Sequence, residues 1–521
     1  MVKNKCIYAD IGAIRKEGFQ QYLKNYFWPI SEKQYQNKIN SLHEKYINLT
    51  VKTKDPLLRN LLQIDIALVS ELQHIYHYQL VSKFSKENGY RLFYTQISND
   101  FFRPNWKEIQ NFYRVKKFPY KKISRLIRFL IRSTLFNKHL GFFGIMKGFL
   151  AKKKLIGVGS FDALKEKYIK DTKTFCWHYD WPDLFRNKKY NLPKDRIDVF
   201  EKSFLNPFIS FLKKLDPCIF DDKFVNNLQK VCLRRIKDLF EMYENCIVFD
   251  RNTKLLIAEV GKPHSKIIIF KNHSNSICFH HGSDSGEIIQ GNSHEKDSLH
   301  CKKFAVPTSA IKDSYEENYS KKTLARLNSI DYFSVNTSFY RDFYNKSLMK
   351  KSKNRIRRVM VIGYPMTPFR PMEEVGLFFY FRLEFEYKIL SFLKKNGFEV
   401  IYKVHPDRAN EIEGFYSDVV DKFIKDPFED VYDYADAFVF GLTSTSTFGY
   451  ALCTNKPITL FDIHGSKWNQ NKKNQLKKRV TFVDAKLSRA QKITFSEEDL
   501  INSLVSPKNS DSWGNFEKYF D

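Results

Sequence analysis

Hydrophobic and polar residues follow two different rhythms along this chain of 521 residues. As far as residue 242, apolar side chains recur mainly at helical spacing. The segment 56–86 predicts one helix, and 194–242 predicts two long helices around the turn LDPCIFDD. Two short runs, at 90–98 and 154–161, predict strands within this helical region, and the second run ends in a glycine turn.

From residue 254 the rhythm changes to short β-rich runs separated by turn residues. Predicted strands are 254–260, 266–270 and the start of 276–286, followed by a helix over 310–328 and a strand, turn and helix over 331–344. A charged linker at 347–358 precedes the strand RVMVIGYP, after which strands at 398–406, 437–441 and 457–462 alternate with helices at 377–396, 408–423 and 445–453. Such alternation is typical of a parallel sheet covered by helices on both faces.

Length and pattern together predict several domains, because 521 residues exceed what one hydrophobic core holds. We expect a mixed, mostly helical region at 1–200, an α/β domain at 201–350 and a second α/β domain at 351–521. Hydrophobic residues make up 43% of the chain, which excludes a disordered protein. The eight cysteines are scattered without a CxxC pair, so they indicate neither a zinc site nor a disulfide framework and favour a reducing cytoplasm.

The charge is strongly positive, with 87 Lys and Arg against 58 Asp and Glu, a formal net charge of +29. Such an excess favours a nucleic acid, an anionic lipid or a phosphorylated substrate as partner, although a lysine-rich proteome would also produce it. No signal peptide and no apolar stretch of membrane-spanning length is evident. We therefore expect a cytoplasmic protein, peripheral on the inner face of the plasma membrane.

The segment 114–154 is the most biased part of the sequence, since it holds 13 Lys and Arg and neither Asp nor Glu. Arg125, Arg128 and Arg132 recur at steps of three and four among apolar residues. This pattern is typical of a helix at an anionic bilayer surface. A basic-edged helix packed on its own domain remains an alternative, and so does a nucleic-acid groove, although no nucleic-acid-binding motif accompanies the charge.

Three segments with candidate chemistry follow predicted strands, where open α/β sheets bind ligands. The first is Lys403 with His405 and Pro406 at the end of a strand, where a histidine can donate to a phosphate. The second is the run of Thr and Ser residues at 443–447 before a helix. It is predicted to hold a phosphate, because five hydroxyl residues exceed what an ordinary N-cap needs.

The third segment is the loop at 279–287, which contains His280, His281, Asp284 and Glu287 among glycines and serines. A histidine there can act as a general base near neutral pH. A polar turn or a metal site would use the same residue types. We favour a catalytic loop, because it is expected to lie across a cleft from the other two segments.

With these motifs the stretch 265–470 resembles GT-B-type transferases of cell-surface polymers, closest to the CDP-glycerol glycerophosphotransferase family and more loosely to capsule Kdo transferases and bacterial sialyltransferases. The resemblance implies two Rossmann-like domains facing a cleft. It also implies that His281 is catalytic and that His405 with Pro406 contacts the donor phosphate. Ser444 and Thr445, ahead of Lys456 and Pro457, and Arg370 in the segment TPFR are further phosphate ligands by the same resemblance. Leu442 and Gly449 depart from the family pattern, which has acidic residues near both places.

The sequence therefore predicts a transferase that moves a glycosyl or polyol-phosphate group from a nucleotide-activated donor, CDP- or CMP-linked, to a lipid-linked or polymeric glycan acceptor. His281 or Asp284 would deprotonate the acceptor, and the phosphate-binding residues are Lys403, His405, Arg370, Ser444, Thr445 and Ser446. We expect no metal, no further cofactor and no nucleic-acid partner, but an anionic membrane surface. The alternatives are a UDP-sugar-dependent transferase or epimerase of the same fold and a basic scaffold that binds polyanions.

Overall fold

The computed structural model describes residues 5–95, 105–113, 122–152, 154–160, 162–272, 275–280, 285–289, 300–319, 329–349, 355–364, 378–406, 409–443, 445–464, 466–506 and 516–521, without the side chains of 122–126 and 411. The strands are β1 (Cys6–Tyr8), β2 (Arg91–Phe93), β3 (Leu155–Val158), β4 (Cys176–Tyr179), β5 (Lys254–Ile257), β6 (Ser276–Phe279), β7 (Lys303–Val306), β8 (Asp331–Ser334), β9 (Arg358–Ile362), β10 (Glu399–Lys403), β11 (Lys422–Ile424), β12 (Ala437–Phe440), β13 (Ile458–Ile463), β14 (Thr481–Leu487) and β15 (Ile493–Phe495). The α-helices are Ile11–Glu17, Phe19–Lys24, Glu32–Lys52, Pro56–Ile64, Ala67–Glu87, Trp106–Gln110, Lys122–Phe136, Gly141–Leu150, Ala163–Thr172, Lys194–Phe200, Asn206–Leu215, Asp222–Asn245, Pro263–Lys271, Ser309–Tyr319, Phe339–Leu348, Phe379–Lys395, Ala409–Ile412, Phe428–Val431, Ser446–Leu452, Gln470–Leu476, Glu497–Val505 and Phe516–Phe520.

A six-stranded sheet, with strand order β4-β3-β5-β6-β7-β8, organises the middle of the chain. All its neighbouring strands pair in parallel. Strands β3 and β6 are buried throughout, as expected for a sheet covered on both faces. Two of its strands, β3 and β4, precede residue 200, so the expected domain boundary at 200/201 passes through this sheet.

A seven-stranded sheet, with strand order β11-β10-β9-β12-β13-β14-β15, organises the last third. Its strands are parallel except for β15, which pairs antiparallel with β14. The strands predicted from the runs at 358–365, 398–406, 437–441 and 457–462 are confirmed as β9, β10, β12 and β13. The expected α/β class is therefore confirmed as helices packed on two mainly parallel sheets.

Three predicted elements are wrong. The single helix predicted over 56–86 is divided into Pro56–Ile64 and Ala67–Glu87, because the first helix ends at its C-cap residue Asp65. The run KIIIF at 266–270 lies in the helix Pro263–Lys271 and not in a strand. Proline is well suited to the first position of a helix, and this helix is apolar on most sides because it is largely buried. The helix predicted over 408–423 is limited to Ala409–Ile412, and the segment ends in β11. Gly414 follows that short helix with a φ of 85°, a left-handed conformation that ends a helix and that glycine adopts without strain.

Each end of the chain packs on a sheet whose strands are far from that end in the sequence. Near the start, Phe19 stacks on Phe415 with ring centroids 5.5 Å apart. Arg15 donates from Nη2 to the backbone carbonyls of Asn410 and Glu413, each at 3.0 Å. At the other end, the helix Phe516–Phe520 packs against Ser309–Tyr319, which follows β7 of the middle sheet. The region 1–200 is thus divided between both sheets and does not form one body.

A buried ion pair holds the helical layer together. Arg235, fully buried on the helix Asp222–Asn245, donates from Nη2 and Nε to Asp65 Oδ1 at 2.6 Å and 2.8 Å. The same carboxylate accepts from Tyr113 Oη at 2.7 Å, and Arg235 Nη1 donates to the Ile109 carbonyl at 3.1 Å. One guanidinium therefore fastens three segments of the helical layer.

Among the described helices, none is both long enough and apolar enough to cross a bilayer.

We expect Arg235→Met to destabilise the protein by about 3–5 kcal/mol, because it leaves Asp65 buried without its cation. The thermal unfolding midpoint measures the loss. Lys237→Ala is the control, since Lys237 is exposed two residues further along the same helix and its replacement should leave the midpoint nearly unchanged. Equal midpoints for the two variants would contradict the assigned role of the ion pair.

Candidate functional site

At the carboxyl edge of the seven-stranded sheet the strand order reverses between β9 and β12, and we call this reversal point the crevice. The chain runs from β9 to β10 and β11 on one side, then continues from β12 on the other side. Such a reversal of strand order is the place at which open α/β sheets bind ligands. Gly363 and Tyr364 follow β9, His405 follows β10 after one residue, and Gly441 follows β12.

Beneath this crevice lies Arg382, a residue that the sequence reasoning did not select. Its side chain is 2% exposed, and Nε donates to Glu386 Oε1 at 2.8 Å. Glu386 also accepts from Tyr402 Oη at 2.6 Å, so the carboxylate is held on both oxygens. Nη1 of Arg382 has no hydrogen-bond partner in the described part of the chain. A buried guanidinium with an unused donor is well suited to an anion.

Gly441 allows this guanidinium to approach the strand end. A Cβ at position 441 would lie 3.0 Å from both Nη1 and Nη2 of Arg382, closer than side chains normally approach. The guanidinium carbon also lies 5.1 Å from the centre of the Tyr364 ring. Arg382 is therefore sandwiched between the ends of β9 and β12, the two strands that border the crevice.

The hydroxyl segment 443–447 begins with a second buried group that has no partner. Thr443 is 3% exposed, and its Oγ1 bonds to no group among the residues described. Thr445 is the N-cap residue of the helix Ser446–Leu452, yet its side chain makes no capping hydrogen bond. An ordinary N-cap was the alternative to a phosphate site for these hydroxyls, and Thr445 does not act as one. Ser446 is exposed, and Ser444 lies outside the described residues.

Of the other predicted phosphate ligands, His405 lies at the crevice. Its ring centre is 6.5 Å from that of Tyr364, and the residue is half-buried. Lys403 donates from Nζ to the Val404 carbonyl at 2.9 Å, and burial lowers its pKa while Glu429 and Asp426 oppose the shift. Its charge is thus partly balanced by carboxylates that follow β11. Arg370 lies outside the described residues.

The predicted catalytic loop follows β6 at the carboxyl edge of the middle sheet. His281 and Asp284 lie outside the described residues, but both flanks are described. On one side His280 is buried, with Nε2 2.6 Å from Tyr315 Oη. On the other side, the Ser285 amide donates to Glu287 Oε2 at 2.9 Å. These bonds hold the described residues on both sides of His281 and Asp284.

Glu287 links this loop to the last third of the chain. It is 1% exposed, and its Oε1 accepts from Tyr519 Oη at 2.7 Å. The Asn469 amide donates to the Glu287 carbonyl at 2.8 Å, and the Ile289 amide donates to the Lys467 carbonyl at 2.7 Å. The described part of the loop after β6 is therefore joined by backbone hydrogen bonds to the segment that follows β13.

One tyrosine connects the catalytic loop with the helix that follows the hydroxyl segment. Burial raises the pKa of Tyr340, and the Ser285 side chain lies close enough to oppose that shift. A Cβ at Gly449, on the helix Ser446–Leu452, would lie 2.9 Å from Tyr340 Cε1. Tyr340 thus lies beside both the loop after β6 and this helix, and its ring occupies the space where an acidic side chain at 449 would stand.

A separate cavity of about 630 Å³ lies beside the Glu287 contact, between the helices Ser309–Tyr319, Gln470–Leu476 and Phe516–Phe520. Its lining is mixed in charge, with Asp313, Glu317 and Glu517 beside Lys472 and Lys518. None of the predicted site residues lines it. Across the described residues there is no group of three or more metal-ligating side chains.

A scan against protein-family models and a search of curated proteins found no match for this chain. The resemblance to GT-B-type transferases thus rests on the motifs alone and stays a prediction. Arg382, which no motif indicated, had one signal in the sequence. Arg382 and Glu386 stand four residues apart in the run FYFRLEFEYKIL, a spacing that places opposite charges side by side on one helix face.

We expect Gly449→Ala to lower the thermal midpoint, because the new methyl group would overlap the Tyr340 ring and cost about 1–3 kcal/mol. In a Tyr340→Leu background the same substitution should cost much less, since the ring is gone. The double-mutant cycle measures this coupling. Additive effects of the two substitutions would show that Tyr340 does not pack against position 449.

Proposed function

We propose that this protein is a GT-B-type transferase that moves a glycosyl or polyol-phosphate group from a nucleotide-activated donor to a cell-surface polysaccharide or teichoic-acid-like acceptor. The observation that carries the proposal is the attachment of the loop after β6 to the last third of the chain through Glu287, with Tyr340 beside both Ser285 and Gly449. It brings residues that follow β6 close to the helix that follows β12. A transfer site needs such an approach, because acceptor and donor must meet between the two sheets.

The strand orders support two Rossmann-like domains. Numbered within its own sheet, the middle sheet has the order 2-1-3-4-5-6, and the last sheet has the order 3-2-1-4-5-6 followed by an antiparallel edge strand. These are the two common orders of doubly wound nucleotide-binding folds. The last sheet would hold the nucleotide donor, since its crevice contains the buried cation.

Donor phosphate would be bound at the crevice by the groups that the fold leaves unsatisfied. Arg382 Nη1 and Thr443 Oγ1 are both buried without a partner among the described residues, a costly arrangement unless something else accepts or donates there. His405 lies at the same edge. When the bond to the donor phosphate breaks, negative charge grows on the leaving group, and these groups would stabilise it together with Thr445 and Ser446.

The acceptor would be activated by the loop after β6. His281 or Asp284 takes the proton of an acceptor hydroxyl, the hydroxyl oxygen forms the new bond, and the nucleotide leaves with the bonding electron pair. His280 is the less suitable base, because its Nε2 is engaged by Tyr315. His280 and Ser285, the described residues on either side of His281 and Asp284, are both held by hydrogen bonds.

The donor is proposed to be a CDP- or CMP-linked compound. The family pattern has a carboxylate near position 449, where a ribose is commonly held. Tyr340 excludes a side chain from that position here, so the ribose must be held by other groups. A UDP-linked donor would use the same phosphate-binding groups, and the nucleotide base decides between the two.

We expect a cytidine nucleotide to raise the thermal midpoint of the wild-type protein and Thr443→Val to abolish much of that rise. The substitution keeps the shape of the side chain and removes a hydroxyl that bonds to no described group. The unliganded variant should therefore be as stable as the wild type, while the lost ligand bond reduces affinity roughly tenfold. A thermal-shift series with CMP, CDP, UMP, UDP, GDP and ADP measures both effects.

Thr50→Val is the matched control, because Thr50 carries another buried hydroxyl without a described partner, on the helix Glu32–Lys52 far from the crevice along the chain. It should leave both stability and nucleotide response unchanged. A response to uridine nucleotides alone would transfer the proposal to a UDP-linked donor. No response to any of the nucleotides would refute the donor site and favour the polyanion-binding scaffold.

We expect His281→Ala to lower the rate of transfer roughly 10²–10⁴-fold while the thermal response to the nucleotide persists, as for a lost general base. His405→Ala should weaken the thermal response as well as the rate, since it lies at the donor edge. Product analysis with CDP-polyol and CMP-sugar donors measures turnover and separates phosphotransfer from glycosyl transfer. Full activity of the His281→Ala enzyme would assign the base to another residue, with Asp284→Asn the next variant.

A further inference from the structure

The helices Lys122–Phe136 and Gly141–Leu150 present an apolar surface to solvent. Eight exposed large apolar side chains lie on it, and we call them the apolar face: Ile127, Leu130, Ile131, Leu135, Phe142, Phe143, Met146 and Leu150. Phe143 is 86% exposed and Leu150 is 88% exposed. Single exposed apolar residues are common on proteins, but a contiguous group of this size indicates an interaction site.

The opposite side of this helix pair is fastened to the edge strand β4 by polar bonds. Asn137 donates from Nδ2 to the Cys176 carbonyl at 2.8 Å and accepts from the Cys176 amide at 2.9 Å. Ser133 Oγ accepts from the His178 amide at 3.1 Å. Asn137 and Ser133 thus satisfy the free edge of the six-stranded sheet.

This attachment fixes the orientation of the apolar face. Phe129 and Phe149 pack on Trp177 of β4, with ring centroids 5.6 Å and 5.5 Å apart. Turning either helix to bury its exposed side chains would break these contacts and the bonds to β4. The helix pair therefore packs on its own domain through both aromatic contacts and polar bonds, and it still leaves eight large apolar side chains exposed to solvent.

The segment that carries the apolar face has charges of one sign only, although Arg132 on its inner side pairs with Asp180. The segment 114–154 holds 13 Lys and Arg and neither Asp nor Glu. Lys138, Lys147, Lys152 and Lys154 are exposed beside the apolar side chains. Apolar side chains at the acyl boundary with ammonium groups at the headgroups are the pattern of a helix that lies in an anionic membrane surface.

Two other occupants fit less well. A second copy of the chain, paired about a two-fold axis, would place this basic segment against itself with no carboxylate in the segment to neutralise it. A nucleic acid would neutralise the lysines but would leave eight apolar side chains against phosphates and water. We propose that the apolar face binds the surface of an anionic lipid bilayer, with the helix pair lying on the bilayer. This inference is independent of the proposed transfer reaction.

Co-sedimentation of the full chain with vesicles tests the proposal. We expect binding to vesicles of phosphatidylcholine mixed with phosphatidylglycerol and much weaker binding to phosphatidylcholine alone. Phe142→Ser/Phe143→Ser should lower the partition coefficient at least about tenfold, because two aromatic side chains no longer enter the bilayer. Lys147→Glu/Lys152→Glu should lower binding to the anionic vesicles about fivefold or more per charge and leave the weak binding to neutral vesicles unchanged.

Two control variants match these changes elsewhere on the surface. Met349→Ser/Val505→Ser removes two other highly exposed apolar side chains, and Lys478→Glu reverses an exposed charge. Both should bind vesicles like the wild type. The thermal response to nucleotides should be unchanged in all four variants, which separates this proposal from the transfer reaction.

Four results would overturn the proposal. The first is no binding of the wild type to either vesicle, and the second is equal binding by wild type and Phe142→Ser/Phe143→Ser. The third is a dimer, seen by sedimentation velocity without lipid, that the same double variant dissociates, since it would assign the apolar face to a second copy of the chain. Binding of the wild type to RNA in place of anionic vesicles would likewise reassign the surface.

Discussion

The contact at Glu287 determines how the two sheets meet. This carboxylate is buried between them, accepting from the Ser285 amide on one side and from Tyr519 Oη on the other. Burial lowers the pKa of Lys472 to about 8, and Glu287 lies close enough to oppose that shift. Lys472 Nζ also donates to the Tyr519 carbonyl at 2.7 Å. A buried carboxylate needs such partners, so loop, cation and C-terminal helix must assemble together. The position of the candidate catalytic loop follows from that requirement.

The crossed packing of the chain ends strengthens the same arrangement. The helix Phe516–Phe520 follows the last sheet in sequence but contributes Tyr519 to the contact at Glu287, and Phe520 stacks on Tyr340. The first helices pack on the last sheet through Phe19. Each sheet thus packs against a segment from the far end of the chain. These contacts hold the two sheets together more firmly than a single linker would. The residues that form the proposed donor and acceptor sides are held within one framework.

The sequence predicted best those elements whose pattern is local. Strands β9, β10, β12 and β13 are continuous apolar runs bounded by polar turns, and such runs identify buried parallel strands. The run KIIIF has the same composition but forms a helix, because a short apolar run does not distinguish a buried helix from a buried strand and Pro263 decides between them. No prediction covered β14, which is partly exposed and carries polar residues among its apolar ones.

The part of the candidate site that lies at the ends of strands could be predicted from the sequence. His405 and the hydroxyl segment 443–447 follow predicted strands, and the parallel sheet brings them to one edge. Arg382 and Tyr340 could not be assigned in this way. Their roles arise from contacts with Gly441 and Gly449, each more than 50 residues away along the chain, and no spacing rule reports such contacts. Gly449 looked like a defect in the family pattern, whereas its missing side chain makes room for the ring that joins the two loops.

The apolar face and the candidate catalytic loop belong to the same sheet, which limits the acceptor. The helix pair attaches to β4, and β6 lies three strand positions away in the order β4-β3-β5-β6. With neighbouring strands roughly 4.8 Å apart, the loop after β6 lies about 14 Å across the sheet from the attachment. Under the two proposals together, the acceptor would span the distance between the membrane-bound face and the residues that follow β6. A lipid-linked glycan or a growing polymer is long enough to do so.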